Sequence, residues 1–254
     1  MSNRKYLMSA SMVVYFGLVI AFAGLIFFAK PIRLLGIPTR LRGFALAGAG
    51  LAVAAIGLVL PVSESRISRV ETRLDEFAPV WQFGELHTIR IAAPPARVYD
   101  AIKHVRANEI FLFGTLTWIR RGGRSLPKSI LDAGSRDESL IDIALQGGFI
   151  SLADEFPKEL VIGTVVVAPA GTHGPLTPQV FQRTLPPGFA LATMNFAVTS
   201  DGGTGSFVTT ETRVFANSPS AQRRFAAYWR LIYPGSAIIR RSWLRAIQQR
   251  ATRA

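Results

Sequence analysis

"FALATMNFAVTSDGGTGSFVTTETRVFA" occupies residues 189–216, and its reading sets the fold. Two arms rich in β-branched and aromatic residues flank "DGGTG", whose glycines supply the positive φ that a tight turn needs. The stretch predicts a long antiparallel hairpin. Alternation along the second arm puts Phe207, Thr209, Glu211, Arg213 and Phe215 on one face, and Val208, Thr210, Thr212 and Val214 on the other. Two assignments stand open. If the aromatic face is concave, Glu211 and Arg213 enter the interior together, where burial requires them to pair with each other or with a ligand. If the valine and threonine face points inward, the pair lies on the outer, solvated face.

Upstream, "FISLADEFPKELVIGTVVV" (149–167) reads as two strands about a turn holding Asp154, Pro157 and Lys158. "LHTIRI" (86–91) alternates, with His87, Ile89 and Ile91 sharing a face. In "APPARVYDAIKHV" (93–105), paired prolines suit a helix start, and Val98, Ile102 and Val105 recur at helical spacing. Downstream lies "RRFAAYWRLIYPGSAIIRRSWLRAIQQR" (223–250), with seven arginines and no acid. At about 100° per residue, Phe225, Trp229, Ile232, Ser236, Ile239, Trp243 and Ile247 form one stripe, with Arg223, Arg230, Arg241 and Arg245 opposite. The stripe keeps register across Pro234, which predicts a kinked helix; two separate helices are the alternative. This order predicts an α+β domain over residues 81–254, a curved antiparallel sheet wrapped round a long C-terminal helix.

"HTIRIAAPPARVYDAI" resembles the opening strand and helix of the SRPBCC superfamily, the helix-grip group of START-related lipid carriers, polyketide cyclases and dehydrases, and birch-pollen-type allergens. "TTETRVFANSPSAQRRFAAYWRLIYPGSAIIRRSWLRAI" resembles the closing strand and C-terminal helix of bacterial members. The resemblance covers roughly residues 84–252 and implies a deep, largely apolar cavity between sheet and helix. It implies no single reaction, since one fold carries many functions. The residues expected to line that cavity are His87, Trp118, Arg120, Glu211, Arg213, Tyr228, Trp229 and Ile232.

Residues 1–63 predict something different. Uncharged runs follow Lys5 and Arg42, "YLMSASMVVYFGLVIAFAGLIFFA" and "GFALAGAGLAVAAIGLVLPVS". At about 1.5 Å per residue each crosses a hydrocarbon core of about 30 Å. The first is longer than the apolar region of a signal peptide and a second follows at once, so the expectation is a transmembrane hairpin with spans at about 8–29 and 43–61. Gly17/Ala21, Gly43/Ala47, Gly48/Ala52 and Gly50/Ala54 are spaced for close helix contact, or are simply tolerated in lipid. Residues 64–80 read as a charged connector. Basic residues tie across the two sides of the hairpin, with Arg33 among those in the loop. The resemblance to a mostly intracellular superfamily places the domain on the cytoplasmic side, in a bacterial inner membrane.

The net charge of +13 is concentrated at the two ends of the chain, and residues 213–254 contain nine arginines and no acid. Nucleic acid is a poor partner for that segment, because its aromatic residues lie on the apolar stripe and are not interleaved with the arginines as stacking platforms. Those arginines are read as the solvated or lipid-facing back of a helix. The chain contains no cysteine, and His87, His104 and His173 have no metal-ligand spacing, so neither metal nor cofactor is expected. No nucleophile elbow or phosphate loop occurs. The leading expectation is a membrane-anchored binding or transfer module for a hydrophobic small molecule or lipid. The alternative is a cyclase or dehydratase working by acid/base chemistry through Glu211 or His87.

Overall fold

The computed structural model describes residues 2–31, 39–125, 129–135, 137–172 and 176–253; Arg33 and His173 lie outside the described residues. The chain divides into two compact units, Met1–Ser63 with Arg223–Tyr233, and Glu64–Gln222 with Pro234–Ala254.

In the first unit, α1 (Ser2–Ala29) and α2 (Arg40–Val59) pack along a seam of small residues. Val14, Gly17, Ala21 and Gly24 of α1 are buried, as are Gly43, Ala47, Gly50, Ala54 and Gly57 of α2. A Cβ on Gly17 would overlap the backbone of Ala54 and Gly50, so this approach requires glycine. Gly48 and Ala52, by contrast, face outward. The outer surfaces carry Phe16, Val19, Phe22, Phe44, Leu51 and Ile56, all exposed. Ala10–Ala29 and Arg40–Val59 are long and apolar enough to cross a membrane.

The same unit includes Arg223–Tyr233 of α7 (Pro219–Thr252), a helix that runs through Pro234 without a break. Ser218 caps it, accepting from the Ala221 N–H at 3.3 Å, and Pro219 occupies the first turn, where its missing N–H is harmless. Arg223, Arg241 and Arg245 are exposed as expected, and so is Arg224. Arg230 is not: it is 1% exposed, and its guanidinium donates to the carbonyls of Leu58 and Leu60. Those oxygens end α2 without intrahelical partners, and a cation there also opposes the negative pole of the helix.

In the second unit, β3 (Phe83–Ile91), β4 (Ile150–Glu155), β5 (Glu159–Val167), β6 (Ala190–Ser200) and β7 (Ser206–Ala216) form an antiparallel sheet in the order β3-β7-β6-β5-β4. The long hairpin is β6 and β7, and the first strand closes on the last, with Glu85 opposite Thr212 and His87 opposite Thr210. The C-terminal part of α7 lies on one face. Trp243, Leu244 and Ile247 pack there with Ile91, Leu160, Ile162, Phe196 and Val208, joined by Val98 and Ile102 of α4 (Pro95–His104) and by α6 (Leu140–Gln146). The other face is covered by residues 64–82, which are more than a connector. They form β1 (Ser65–Arg66), α3 (Arg73–Phe77) and β2 (Val80–Trp81), with Leu74 fully buried against the sheet.

Candidate functional site

The two faces of β7 hold different chemistry. Val208, Thr210, Thr212 and Val214 point toward α7, so the aromatic face is the outer one and Glu211 and Arg213 stand away from the long helix. This corrects the expectation that they enter the space under it. Outward-facing does not mean solvated, however, because α3 and the turn after it close over the pair. Arg213 Nη1 donates to Asp75 Oδ1 at 2.7 Å and to the Ala78 carbonyl at 3.0 Å. Its Nε and Nη2 reach the two oxygens of Glu211 at 3.0 and 3.1 Å, and its guanidinium lies 4.1 Å from the centre of the Trp81 ring. Burial pushes the Asp75 carboxyl up, but the Glu71 N–H, Arg213 and the Thr72 N–H outweigh it and hold it below its ordinary value. Next along the sheet, Glu159 accepts from the N–H groups of Arg73 and Leu74 at 2.7 and 3.3 Å and from Asn195 Nδ2 at 2.6 Å, which pins the start of α3. Every acid in this layer is matched by donors, so the network fastens α3 to the sheet.

Beside that network opens a pocket of about 640 Å³, lined by Phe77, Val80, Phe181, Leu185, Phe189, Leu191 and Phe215, with Thr193 and Asn217 as polar members. Its wall is the segment before β6, held by one side chain. Asn217 Oδ1 accepts from the Gly188 and Phe189 N–H groups at 3.0 and 2.9 Å, while its Nδ2 donates to the Leu185 and Pro186 carbonyls at 3.1 and 2.8 Å. Gly188 sits at φ 112°, where only glycine is at ease. A mostly apolar concavity of this size with few polar groups is the usual make-up of a small-molecule site.

Beneath α7 lies a second group. His87 Nε2 is 2.6 Å from Glu85 Oε1, and the Ser236 hydroxyl donates to Glu85 Oε2 at 2.7 Å. Arg240 donates through Nη2 to Thr212 Oγ1 at 2.9 Å, while Nη1 rests on the Met194 sulfur. Burial holds the Arg240 pKa down to about 10; the negative charge of Glu85 opposes the shift and the positive charge of Arg120 adds to it. A carboxylate that orients an imidazole beside a buried cation can hold and move a proton.

The eight expected cavity residues therefore do not form one site. His87 belongs to the inner cluster, and Glu211 and Arg213 to the outer network. Trp118 and Arg120 are exposed on α5 (Phe113–Arg120), with Trp118 55% exposed. Tyr228, Trp229 and Ile232 lie in the first unit, where Trp229 stacks on Phe225 at 5.7 Å. Sequence reasoning missed Glu85, Ser236, Arg240 and Asp75. Glu85 was within reach, since it precedes His87 by two on the same strand face, and Ser236 already stood in the apolar stripe. Asp75 gave no signal in a charged stretch. No protein-family model matches the chain, and no curated protein matches it. Among the described residues, no group of three or more His, Asp or Glu side chains is placed to hold a metal ion.

Proposed function

We propose that the chain is a membrane-anchored binding or transfer module for a hydrophobic, lipid-like small molecule, with a sheet unit of the SRPBCC helix-grip kind on the cytoplasmic side. The observation that carries this reading is the aromatic pocket on the outer face of the sheet, in a chain with two apolar helices of membrane length. A ligand of low water solubility gains a short path when its container is tethered to a bilayer. The helix-grip assignment is supported by the first strand pairing with the last and by the long helix across one face. The side of the membrane rests on the resemblance alone. An impermeant thiol reagent that labels an introduced cysteine in the sheet unit of intact cells would reverse it.

The test is native mass spectrometry of the full chain in mild detergent, beside Phe215→Trp and Leu191→Trp, which fill the pocket. A co-purified small molecule should accompany the wild type and be depleted in both variants. No bound molecule, or one retained equally in the variants, overturns the reading.

The 2.6 Å Glu85–His87 pair favours acid/base catalysis as a second reading. Its sign would be a bound species from His87→Ala that differs from the wild-type species by the elements of water.

A further inference from the structure

The approach to α5 exposes apolar surface that the sheet unit does not use. Phe111 is 69% exposed, Leu112 40%, Trp118 55% and Ile119 60%. The helix itself is anchored from its other side, where Phe113 and Thr117 are buried and the Thr117 hydroxyl donates to the Phe113 carbonyl at 2.8 Å. Leu112 has φ 59°, the only non-glycine residue among the described ones in the left-handed region. A leucine there is strained, because its Cβ crowds the following carbonyl oxygen. That backbone turns the chain into α5 at the point where Phe111 and Leu112 protrude.

Basic residues outnumber acidic ones around this knuckle, which Glu109 and Asp132 flank in the sequence. From Ile110 to Leu131 the sequence contains Arg120, Arg121, Arg124 and Lys128 and no acid. Arg121 is engaged by Asp132 at 2.8 Å, and both Arg120, the last residue of α5, and Arg124 beyond it are exposed. A large aromatic and aliphatic tip with arginines at its margin matches the layering of a bilayer surface: side chains sink to the acyl boundary while guanidinium groups stay among the phosphates.

We infer that Phe111, Leu112, Trp118 and Ile119 form a second, reversible membrane contact, inserted into the lipid surface with Arg120 and Arg124 at the phosphate level. The inference rests on the proposed membrane anchoring, because the hairpin is what keeps a bilayer within reach.

The absence of native cysteine allows single nitroxide labels to be placed without ambiguity. The full chain, reconstituted in phosphatidylcholine–phosphatidylglycerol vesicles, would carry one label at Phe111→Cys or Ile119→Cys. Phe22→Cys, on the outer face of α1, reports lipid, and Thr88→Cys, exposed on β3, reports water. The labelled side chains are exposed, so folding is not at stake. Collisions with oxygen should exceed those with a water-soluble nickel chelate at Phe111 and Ile119, as at Phe22, with the reverse at Thr88. Labels at Phe111 and Ile119 that behave like Thr88, or that are shielded from both relaxants by protein, overturn the inference while the anchoring stands. A water-exposed label at Phe22 overturns the anchoring itself, and the inference with it.

Discussion

Replacing Arg213 with methionine tests whether the outer layer is fastened by charge. The side chain is 8% exposed, and its partners Asp75 and Glu211 are 5% and 19% exposed. Methionine keeps the volume and removes every donor. Asp75 retains the Glu71 and Thr72 N–H groups at 2.9 Å, but its charge is left buried without a counter-ion. Breaking a buried pair from one side typically costs about 3–5 kcal/mol. Glu211→Gln should cost only about 1 kcal/mol, because Arg213 still has Asp75 and the Ala78 carbonyl. Arg213→Met with Asp75→Asn should be milder than Arg213→Met alone, since only Glu211, the more exposed of the two acids, is then left without its counter-ion. The measurement is urea unfolding of the full chain in detergent, followed by far-ultraviolet circular dichroism. A loss below about 1 kcal/mol for Arg213→Met, or a double variant weaker than the single one, would refute the reasoning.

The depressed pKa of Asp75 sets a direction with pH. Its contribution is complete above the unfolded value, near 4, and is lost as pH falls through the lower folded value, so urea midpoints should drop below about pH 4, and drop less in Asp75→Asn. Glu85→Gln removes the charge that orients His87 and faces Arg240, and should cost about 1–3 kcal/mol in the same assay; an unchanged midpoint would dismiss the inner cluster as incidental. In the hairpin, Gly17→Leu forces a side chain into the backbone of Ala54 and should destabilise α1–α2 packing by about 1–3 kcal/mol or more, whereas Gly48→Leu meets open space and should be neutral by limited proteolysis in detergent.

Periodicity carried most of the architecture. The hairpin of β6 and β7, the Pro-initiated α4 and the unbroken α7 were readable because each rests on local spacing and a local start or stop signal. The face of β7 was not readable. Its two sides are both buried, one under α7 and one under α3, so alternation offered a choice and no criterion. The criterion lay in residues 71–82, whose charges read as solvated although Asp75 faces the sheet and the Arg73 and Leu74 N–H groups bind Glu159 of β5. Arg230 misled in the same way. Helical phase put it opposite the apolar stripe, and only the approach of the α2 carbonyls makes that position interior. A stripe argument treats a helix as having one buried side, but α7 supplies residues to two cores, and Trp229 and Trp243 serve different ones.

The clamp at the rim of the aromatic pocket has a chemical lifetime. A single carboxamide, Asn217, holds four backbone groups, using its oxygen as acceptor twice and its nitrogen as donor twice. Ser218 follows it, a small residue that leaves the next backbone nitrogen free to attack the amide. Loss of ammonia to a cyclic imide, followed by addition of water across it, would replace the NH₂ by a second acceptor oxygen, turned toward the Leu185 and Pro186 carbonyls. Two attractions would become repulsions at one stroke, with no change in the encoded sequence. The pocket wall is thus the part of the molecule whose ageing can be followed by mass, as a gain of one charge and the release of the segment before β6.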